Sequence, residues 1–439
     1  MHTPAAIPER SHWMRASLSY LLLASISLSK LQGSFDSYEG LIMTGYQGWF
    51  NTPDDGANKK WAHYSRKGKF QPGQCSIDFW PDVSEYTVTY ATDFRFEDGS
   101  AAHVFSSYDP STVDLHFKWM RDYGIDGAFT QRFIHSLDQP KIENHYDAVF
   151  DSAITAAEKY GRAISIRYDL TSMQPGFSKV LLNDLDELNA KHNFFDRVES
   201  PTFLYHAGKP IIAFGGIGFA EDSAGDDVGY LNEASIIISE LRKRGYSLMM
   251  RVPAQWHTQR GGQALETPEL RDQFLNICKS VDIIMPWHVG AYREDSYVSG
   301  RWEKRIREEI AWCEARGIDY VPVVYPGFSR ANLKGGEDGS YRPRNGGSFF
   351  WLQAASAIDA NAKMIFLAQF DEMDEGTQIF KASKRVPVGD SPFIRYDDSL
   401  ETDHYLWLSG KIGEMLRNDL PFSRKLPARI LDTSKDSEM

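Results

Sequence analysis

The feature that most constrains the fold is one pattern that repeats along the chain from Leu41 onward. Short runs of β-branched and aromatic residues alternate with amphipathic helical patterns, at a spacing of roughly 40 residues. This alternation is typical of βα units that build a parallel sheet. Eight such units occur, with predicted strands at 41–50, 124–133, 163–170, 209–216, 247–256, 282–288, 319–327 and 364–370.

Eight regular units favour an α/β fold of the (β/α)8 TIM barrel type over a doubly wound open sheet. A chain of 439 residues is long enough for one large barrel domain with additions. The main addition is an insertion after the first strand, which continues through Asp98. We therefore predict a single domain at 34–425 and a polar C-terminal tail at 426–439.

The N-terminal residues resemble a secretory signal. Arg10 and Arg15 precede an apolar stretch at 16–28, which suits a signal peptide and is short for a membrane span. We predict a signal peptide at 1–33 and a protein that is secreted or periplasmic. A first core helix is the alternative interpretation of the same stretch.

Composition narrows the class of partner. The net charge of −12 argues against nucleic-acid and anionic-membrane partners, which require a basic surface. The chain has 11 Trp and 21 Tyr, which suits stacking on sugar rings, although an aromatic-rich core explains these numbers equally well. Three dispersed cysteines indicate neither a disulfide framework nor a zinc cluster, so we expect no metal and no cofactor.

In a barrel of this type, the polar residues at the carboxyl ends of the strands converge on one bowl. Their mixture of carboxylates, imidazoles, guanidinium groups and indoles suits hydrolysis of a polyhydroxylated substrate. The predicted site residues from these strand ends are Tyr46, Gln47, Trp49, Gln131, Arg132, His135, Arg167, Asp169, Arg251, Gln255, Trp256, His257, Trp287, His288, Tyr325, Glu372 and Glu375.

The last predicted strand runs directly into four carboxylates, Asp371, Glu372, Asp374 and Glu375. Such groups are costly to bury unless they are paired or used. Glycoside hydrolysis needs two carboxyl groups, and Glu372 with Glu375 supplies both if the chain curls at Gly376. Mutual repulsion should raise at least one pKa. A solvated acidic loop or a calcium site is the alternative, and the position at a strand end favours catalysis.

Several other candidates have a structural alternative. The indoles of Trp49, Trp256 and Trp287 are either sugar platforms or core. Arg132, Arg167 and Arg251 either bind substrate or form ion pairs within the barrel mouth. His288 ranks above His135 as a sugar contact, and the insertion residues Asp78, Asp82 and Glu85 either shape a substrate lip or belong to an exposed acidic loop.

The run 372–379 resembles the Glu-x-x-Glu-Gly-Thr-Gln signature of glycoside hydrolase family 99 and the wider family 71/99-like group. Residues 45–49 are similar to the first strand of the same group, with further short matches at 123–126, 205–210, 344–347, Trp351 and 403–407. The resemblance implies a secreted (β/α)8 glycosidase without a metal cofactor, similar to enzymes that act within α-mannosides. It assigns Glu375 as general acid/base and Glu372 as the group that assists the substrate's own 2-hydroxyl, with retention of configuration.

The resemblance is incomplete around the two glutamates. The family tends to carry Asn, Trp and His where this chain has Asp371, Met373 and Asp374. We expect Asp371 and Asp374 to contact substrate, and the resemblance does not fix mannose as the sugar. The sequence thus predicts an endo-acting glycosidase for an α-linked oligo- or polysaccharide. An inverting family 71-like α-glucanase and a non-catalytic glycan-binding barrel are the alternatives.

Overall fold

The computed structural model describes residues 35–137, 139–218, 227–258, 265–291, 298–336 and 340–429. The predicted signal peptide and residues 430–439 of the predicted tail lie outside these ranges. None of the helices in the described ranges is long and apolar enough to cross a membrane.

Eight parallel strands form one sheet, in which each strand pairs with its neighbours in chain order. They are β1 (Ile42–Tyr46), β2 (Gly127–Phe133), β3 (Ala163–Asp169), β4 (Lys209–Gly215), β5 (Ser247–Pro253), β6 (Ile283–Trp287), β7 (Asp319–Tyr320 and Val323–Val324) and β8 (Ile365–Leu367). The sheet also pairs β1 with β8, so the strands that are first and last in the chain are adjacent.

The ring closes at β7, which is divided into two short segments. The first segment pairs with β6 and the second with β8. Between them, Val321 N donates to Ile284 O at 2.9 Å and Pro322 O accepts from Phe366 N at 3.0 Å. The break thus occurs at a proline, which has no backbone N–H for a ladder. The predicted (β/α)8 barrel is confirmed.

Within the described ranges, eight helices of 11 or more residues surround the strands. They are α1 (Pro110–Asp122), α2 (Pro140–Tyr160), α3 (Phe177–His192), α4 (Asp227–Arg244), α5 (Pro268–Cys278), α6 (Glu303–Glu314), α7 (Ser348–Asp359) and α8 (His404–Leu416). Helix α5 shows how local sequence sets a boundary. Thr267 accepts a hydrogen bond from Leu270 N at 3.3 Å, and Pro268 occupies the first turn, where no N–H is required.

The predicted insertion lies between β1 and α1. It contains an antiparallel hairpin (Tyr90–Arg95 and Ala101–Val104) and its own aromatic cluster, in which Trp80 lies between Phe70 and Phe94 at 5.9 and 5.3 Å. Asp78 is buried and accepts from Ala331 N and Asn332 N, both at 2.8 Å. The insertion is thereby tied to the loop after β7. Asp78 is therefore neither an exposed loop residue nor a substrate contact.

Candidate active site

The chain turns sharply after β8, and this turn holds the four carboxylates. Gly376 has a φ of +62°, and a Cβ at this position would lie 3.0 Å from Ser329 N. Glycine is therefore strongly favoured beside Ser329, whose N–H donates to Glu375 O at 2.9 Å. From the other side, Arg344 Nη2 donates to the carbonyls of Gly376 and Gln378 at 3.0 and 2.7 Å. The predicted curl at Gly376 is confirmed.

Glu372 is buried, and both of its carboxylate oxygens accept hydrogen bonds. Oε1 accepts from Gln47 Nε2 at 2.9 Å and Oε2 from Thr377 Oγ1 at 3.2 Å. Burial raises its pKa well above the usual value, and the charges of Glu375 and Asp374 act in the same direction. The two donors favour the ionised form. The carboxylate is thus fixed in position and has an unusually high proton affinity for a glutamate.

Glu375 is the more accessible member of the pair, since its side chain is partly exposed. Burial raises its pKa to about 7, with a further contribution from Asp374. The positive charges of Arg330, Arg251 and Lys334 oppose that rise. A carboxyl group with a pKa near 7 is able both to donate and to accept a proton at neutral pH.

The two aspartates of the run serve the local structure. Asp371 is fully buried and accepts from the backbone N–H groups of Gln47 and Gly48 at 2.7 and 2.8 Å, which fastens the end of β1 to the end of β8. Burial raises the pKa of Asp371 to about 7. Because both its oxygens accept from the backbone, the predicted contact of Asp371 with substrate is wrong. Its role is to place Gln47.

Asp374 accepts from or shares a proton with His63, whose Nδ1 lies 2.9 Å from Asp374 Oδ2. The His63 ring stacks on Trp49 at 3.8 Å, and Phe133 stacks on Trp49 at 5.4 Å. The calcium alternative predicted three carboxylates around one cation. In the described ranges, no cluster of three or more His, Cys, Asp or Glu side chains is arranged to hold a metal ion.

Five of the predicted residues lie on the inner side of the barrel, as expected. They are Gln131, Arg167, Asp169, Arg251 and Trp287, on strands β2, β3, β5 and β6. Gln131 of β2 accepts from Arg167 Nε of β3, and Arg251 of β5 lies 3.5 Å from Asp169. Both guanidinium groups lie over the indole of Trp287, at 5.4 and 5.2 Å from its centroid. A Cβ at Gly215 would come within 2.6 Å of Arg251 Nε, so this glycine makes room for the arginine.

Three predicted site residues point away from the bowl toward the helices. Arg132 donates to Asp184 Oδ2 at 2.9 Å and to Asp147 Oδ1 at 2.8 Å, so its ion-pair interpretation is correct and its substrate role is wrong. Tyr46 Oη lies 2.9 Å from His116 Nδ1 on α1. Trp256 is fully buried, with its ring edge-on to Trp312 of α6 at 4.7 Å, and is core rather than a sugar platform.

His288 and Tyr325 are also corrected. His288 is fully buried near Trp302, and burial lowers its pKa well below the usual value, so it is a core residue rather than a sugar contact. The ring of Tyr325 is buried edge-on against Phe349 of α7 at 5.2 Å. His135 lies 2.6 Å from the Thr171 carbonyl, outside the carboxylate cluster.

The structure adds residues that were not predicted. His63 lies within the insertion and carries no sequence signal for its contact with Asp374. Arg330 and Lys334 act electrostatically on Glu375 and follow β7, where the rule for strand ends would have found them had it been extended into the loop. Thr377 was part of the family motif without an assigned role.

Comparison with known proteins agrees with this architecture. No protein-family model matches the chain. A glycoprotein endo-α-1,2-mannosidase-like protein of Danio rerio is 27% identical over 104 residues, which is 24% of this chain and 23% of the relative. The glycoprotein endo-α-1,2-mannosidase of Mus musculus is 28% identical over 72 residues, 16% of each chain. The chain thus matches less than a quarter of the length of these curated relatives.

Solved structures match over nearly the whole fold. The family 99 endo-α-mannosidase of Bacteroides thetaiotaomicron, in complex with Bis-Tris propane, superposes with a TM-score of 0.60 and 15% identity, covering 88% of this chain and 99% of that chain. A second structure of this enzyme gives a TM-score of 0.58, 14% identity and coverages of 87% and 98%. The resemblance to family 99 is confirmed. At this identity the similarity shows the fold.

Proposed function

We propose that this chain is a glycoside hydrolase that cleaves within an α-linked glycan, with Glu375 as general acid/base and Glu372 as its partner. The observation that carries the proposal is the pair itself. Two carboxyl groups lie at the mouth of a barrel, and both have raised pKa values. One of them, Glu375, is accessible and has a pKa of about 7. The names of the Bacteroides thetaiotaomicron and Mus musculus proteins, both endo-α-mannosidases, support endo action on an α-linked substrate.

The chemistry assigned to the pair has two steps. In the first, Glu375 donates its proton to the leaving glycosidic oxygen, while Glu372 accepts the proton of the sugar's 2-hydroxyl and that oxygen attacks the anomeric carbon. In the second, Glu375 accepts a proton from water as the water oxygen attacks the anomeric carbon and the bond from that carbon to the 2-oxygen breaks. Glu372 returns its proton to the 2-oxygen, and the configuration is retained. The hydrogen bonds from Gln47 and Thr377 support this role, because they hold Glu372 in place as an acceptor.

The sugar need not be mannose. Met373 is fully buried, and Asp374 engages His63, so an aromatic residue and an imidazole of the family motif are replaced by groups that make other contacts. Trp49 and His63 together present a stacked pair beside the acidic turn. We also propose that the protein is exported, on the basis of Arg10, Arg15 and the apolar stretch that follows them.

The test compares wild type with Glu375→Gln on a panel of α-mannans, α-glucans and sulfated α-glycans. We expect wild type to release oligosaccharides and Glu375→Gln to lose about 10³-fold in kcat/KM, because the amide cannot donate an acidic proton. Glu308→Gln, an exposed glutamate of α6, is the matched control and should retain full activity. Circular dichroism establishes that each variant is folded.

Two outcomes discriminate the alternatives. If wild type binds a glycan of the panel without cleaving it, and Glu375→Gln binds equally well, the protein is a glycan-binding barrel. If wild type is active, proton NMR of the first-formed product anomer separates retention from inversion. An inverted product assigns Glu372 to the activation of water, as in an inverting α-glucanase.

A further inference from the structure

Two buried polar side chains on the inner side of the barrel have N–H donors without an acceptor in the described part of the chain. Gln131 and Arg167 are direct partners in the register of β2 and β3, and each is about 97% buried, with 3% exposure. Arg167 Nε uses the Gln131 carbonyl oxygen as its acceptor. The remaining buried donors, Arg167 Nη1 and Gln131 Nε2, have no acceptor among the residues that the structure describes. A buried donor without an acceptor is costly, and at the mouth of a barrel a ligand is able to supply the acceptor.

Charge narrows the kind of acceptor. Asp169, on the same strand, pairs with Arg251 at 3.5 Å, and Arg167 itself forms no ion pair with a carboxylate of the described residues. The carboxylate of Glu372 is engaged by Gln47 and Thr377. Asp169 and Glu372 act on Arg167 electrostatically from beyond ion-pair distance. A buried guanidinium that makes no direct contact with a carboxylate is unfavourable, and a ligand anion would supply that contact. The pKa of Arg167 falls to about 10, because burial and the nearby charge of Arg251 outweigh the opposing charges of Asp169 and Glu372.

The pair lies within the bowl that holds the carboxylates. Arg167 acts electrostatically on Glu372, and Arg251 acts on Glu375. The guanidinium groups of both arginines also lie over the indole of Trp287, so positive charge lies beside the ring on which a neutral sugar would stack. A group bound to Arg167 would therefore belong to a sugar that occupies the site of cleavage or a directly adjacent subsite.

We propose that Arg167 and Gln131 form a subsite for an anionic substituent, a carboxylate or a sulfate ester, on the glycan that this protein binds. The inference rests on the proposed function and specifies its substrate as an acidic α-linked glycan. The guanidinium and the amide present converging N–H donors, which match the oxygens of a carboxylate or sulfate. A sugar hydroxyl would satisfy the donors but would supply no negative charge within hydrogen-bonding distance of Arg167.

A binding test needs no catalysis. Thermal unfolding is measured with sodium sulfate against sodium chloride at equal ionic strength, and with sodium D-glucuronate against D-glucose in the same chloride background. At about ten times its dissociation constant, an anion that fits should raise the Tm of wild type by about 2 °C more than the matched control. Arg167→Met should lose this difference. A wild-type difference of zero, or an equal difference in Arg167→Met, overturns the proposal.

Gln131→Glu is a second variant that tests the proposal even if Arg167→Met does not fold. The new carboxylate lies beside Arg167 and supplies its counter-ion, so this variant should have a Tm no lower than that of wild type and yet lose the anion-specific increase. Arg316→Met is the matched control, because Arg316 also lies over an indole, that of Trp312 at 3.9 Å, but outside the barrel. It should keep the full increase. Retention of the increase in Gln131→Glu overturns the proposal.

An activity test separates this inference from the proposed function. The ratio of kcat/KM for a sulfated α-glycan to that for its desulfated form, and for a uronate-bearing glycan to its carboxyl-reduced form, identifies the source of the charge. We expect at least one ratio to exceed about 10 in wild type and to fall at least about tenfold in Arg167→Met. Cleavage of neutral polymers with both ratios near one would overturn the acidic substrate and leave the glycosidase intact.

Discussion

Two buried arginines on neighbouring strands have opposite surroundings. Arg132 of β2 points outward, where Asp147 of α2 and Asp184 of α3 neutralise it and Tyr168 Oη donates to the same Asp184 at 2.6 Å. Arg167 of β3 points inward and pairs with a neutral amide. Burial acts to lower the pKa of both, but Asp184 raises that of Arg132, whereas that of Arg167 falls to about 10. The outer arginine forms ion pairs with two carboxylates, whereas the inner one has a neutral amide as its hydrogen-bond partner.

The difference between the two arginines predicts different changes in stability when each is replaced. Arg132→Met leaves Asp184 buried without its cation, and we expect the free energy of unfolding to fall by about 3–5 kcal/mol. Arg167→Met removes a charge that forms no ion pair within the described residues, so its effect should be below about 1 kcal/mol or stabilising. Urea denaturation measures both values.

The control for this prediction is the double variant Arg132→Met with Asp184→Asn. If the cost arises from the unpaired carboxylate, the double variant should recover part of the stability that the single variant loses. Equal losses of unfolding free energy in Arg132→Met and Arg167→Met would show that the two arginines have energetically similar environments and would contradict the prediction.

The same two arginines show what the sequence could and could not predict. The βα repeat is a local pattern, so the eight strands and the position of the acidic run at the end of β8 were predictable. The orientation of each strand end was also encoded, because side chains alternate between the two faces of a strand. Gln131 points into the barrel, so Arg132 must point outward to the helices. Trp287 likewise points into the barrel, so His288 must point outward into the core between strands and helices. Alternation along each strand therefore distinguishes site residues from core residues at the strand ends.

Other features depend on contacts between distant segments and could not be inferred from local patterns. Asp371 accepts from two backbone N–H groups at the end of β1, which lie more than 300 residues earlier in the chain. His63 reaches Asp374 from an irregular insertion without periodicity. Such contacts follow from the folded path of the loops, on which hydrophobic patterning gives no information.

Asp371 allows a second test, because it holds the backbone of Gln47, whose side chain donates to Glu372. Asp371→Asn has one carbonyl oxygen for two N–H donors and presents an amide in place of the other oxygen. We expect a loss of about 1–3 kcal/mol in unfolding free energy and a fall of about tenfold to hundredfold in kcat/KM, because Gln47 no longer holds Glu372 in place. The measurements are urea denaturation and initial rates.

The matched control is Asp397→Asn, since Asp397 also accepts a backbone N–H, that of Ser399 at 2.9 Å, but on the exposed surface. It should change stability by less than about 0.5 kcal/mol and leave kcat/KM unchanged. If Asp371→Asn lowers stability without altering kcat/KM, the placement of Gln47 is not required for catalysis.

The smallest predicted effect concerns the charges around Glu375. The proposed acid must be protonated, so activity should decline as pH rises through its pKa of about 7. Asp374 raises this pKa, and Arg330 lowers it. Asp374→Asn should therefore move the basic limb of the pH profile of kcat/KM to lower pH, and Arg330→Gln should move it to higher pH, each by about half a unit. Shifts in the same direction in both variants would exclude Glu375 as the group that titrates on that limb, because a neutralised anion and a neutralised cation must act on its proton with opposite sign.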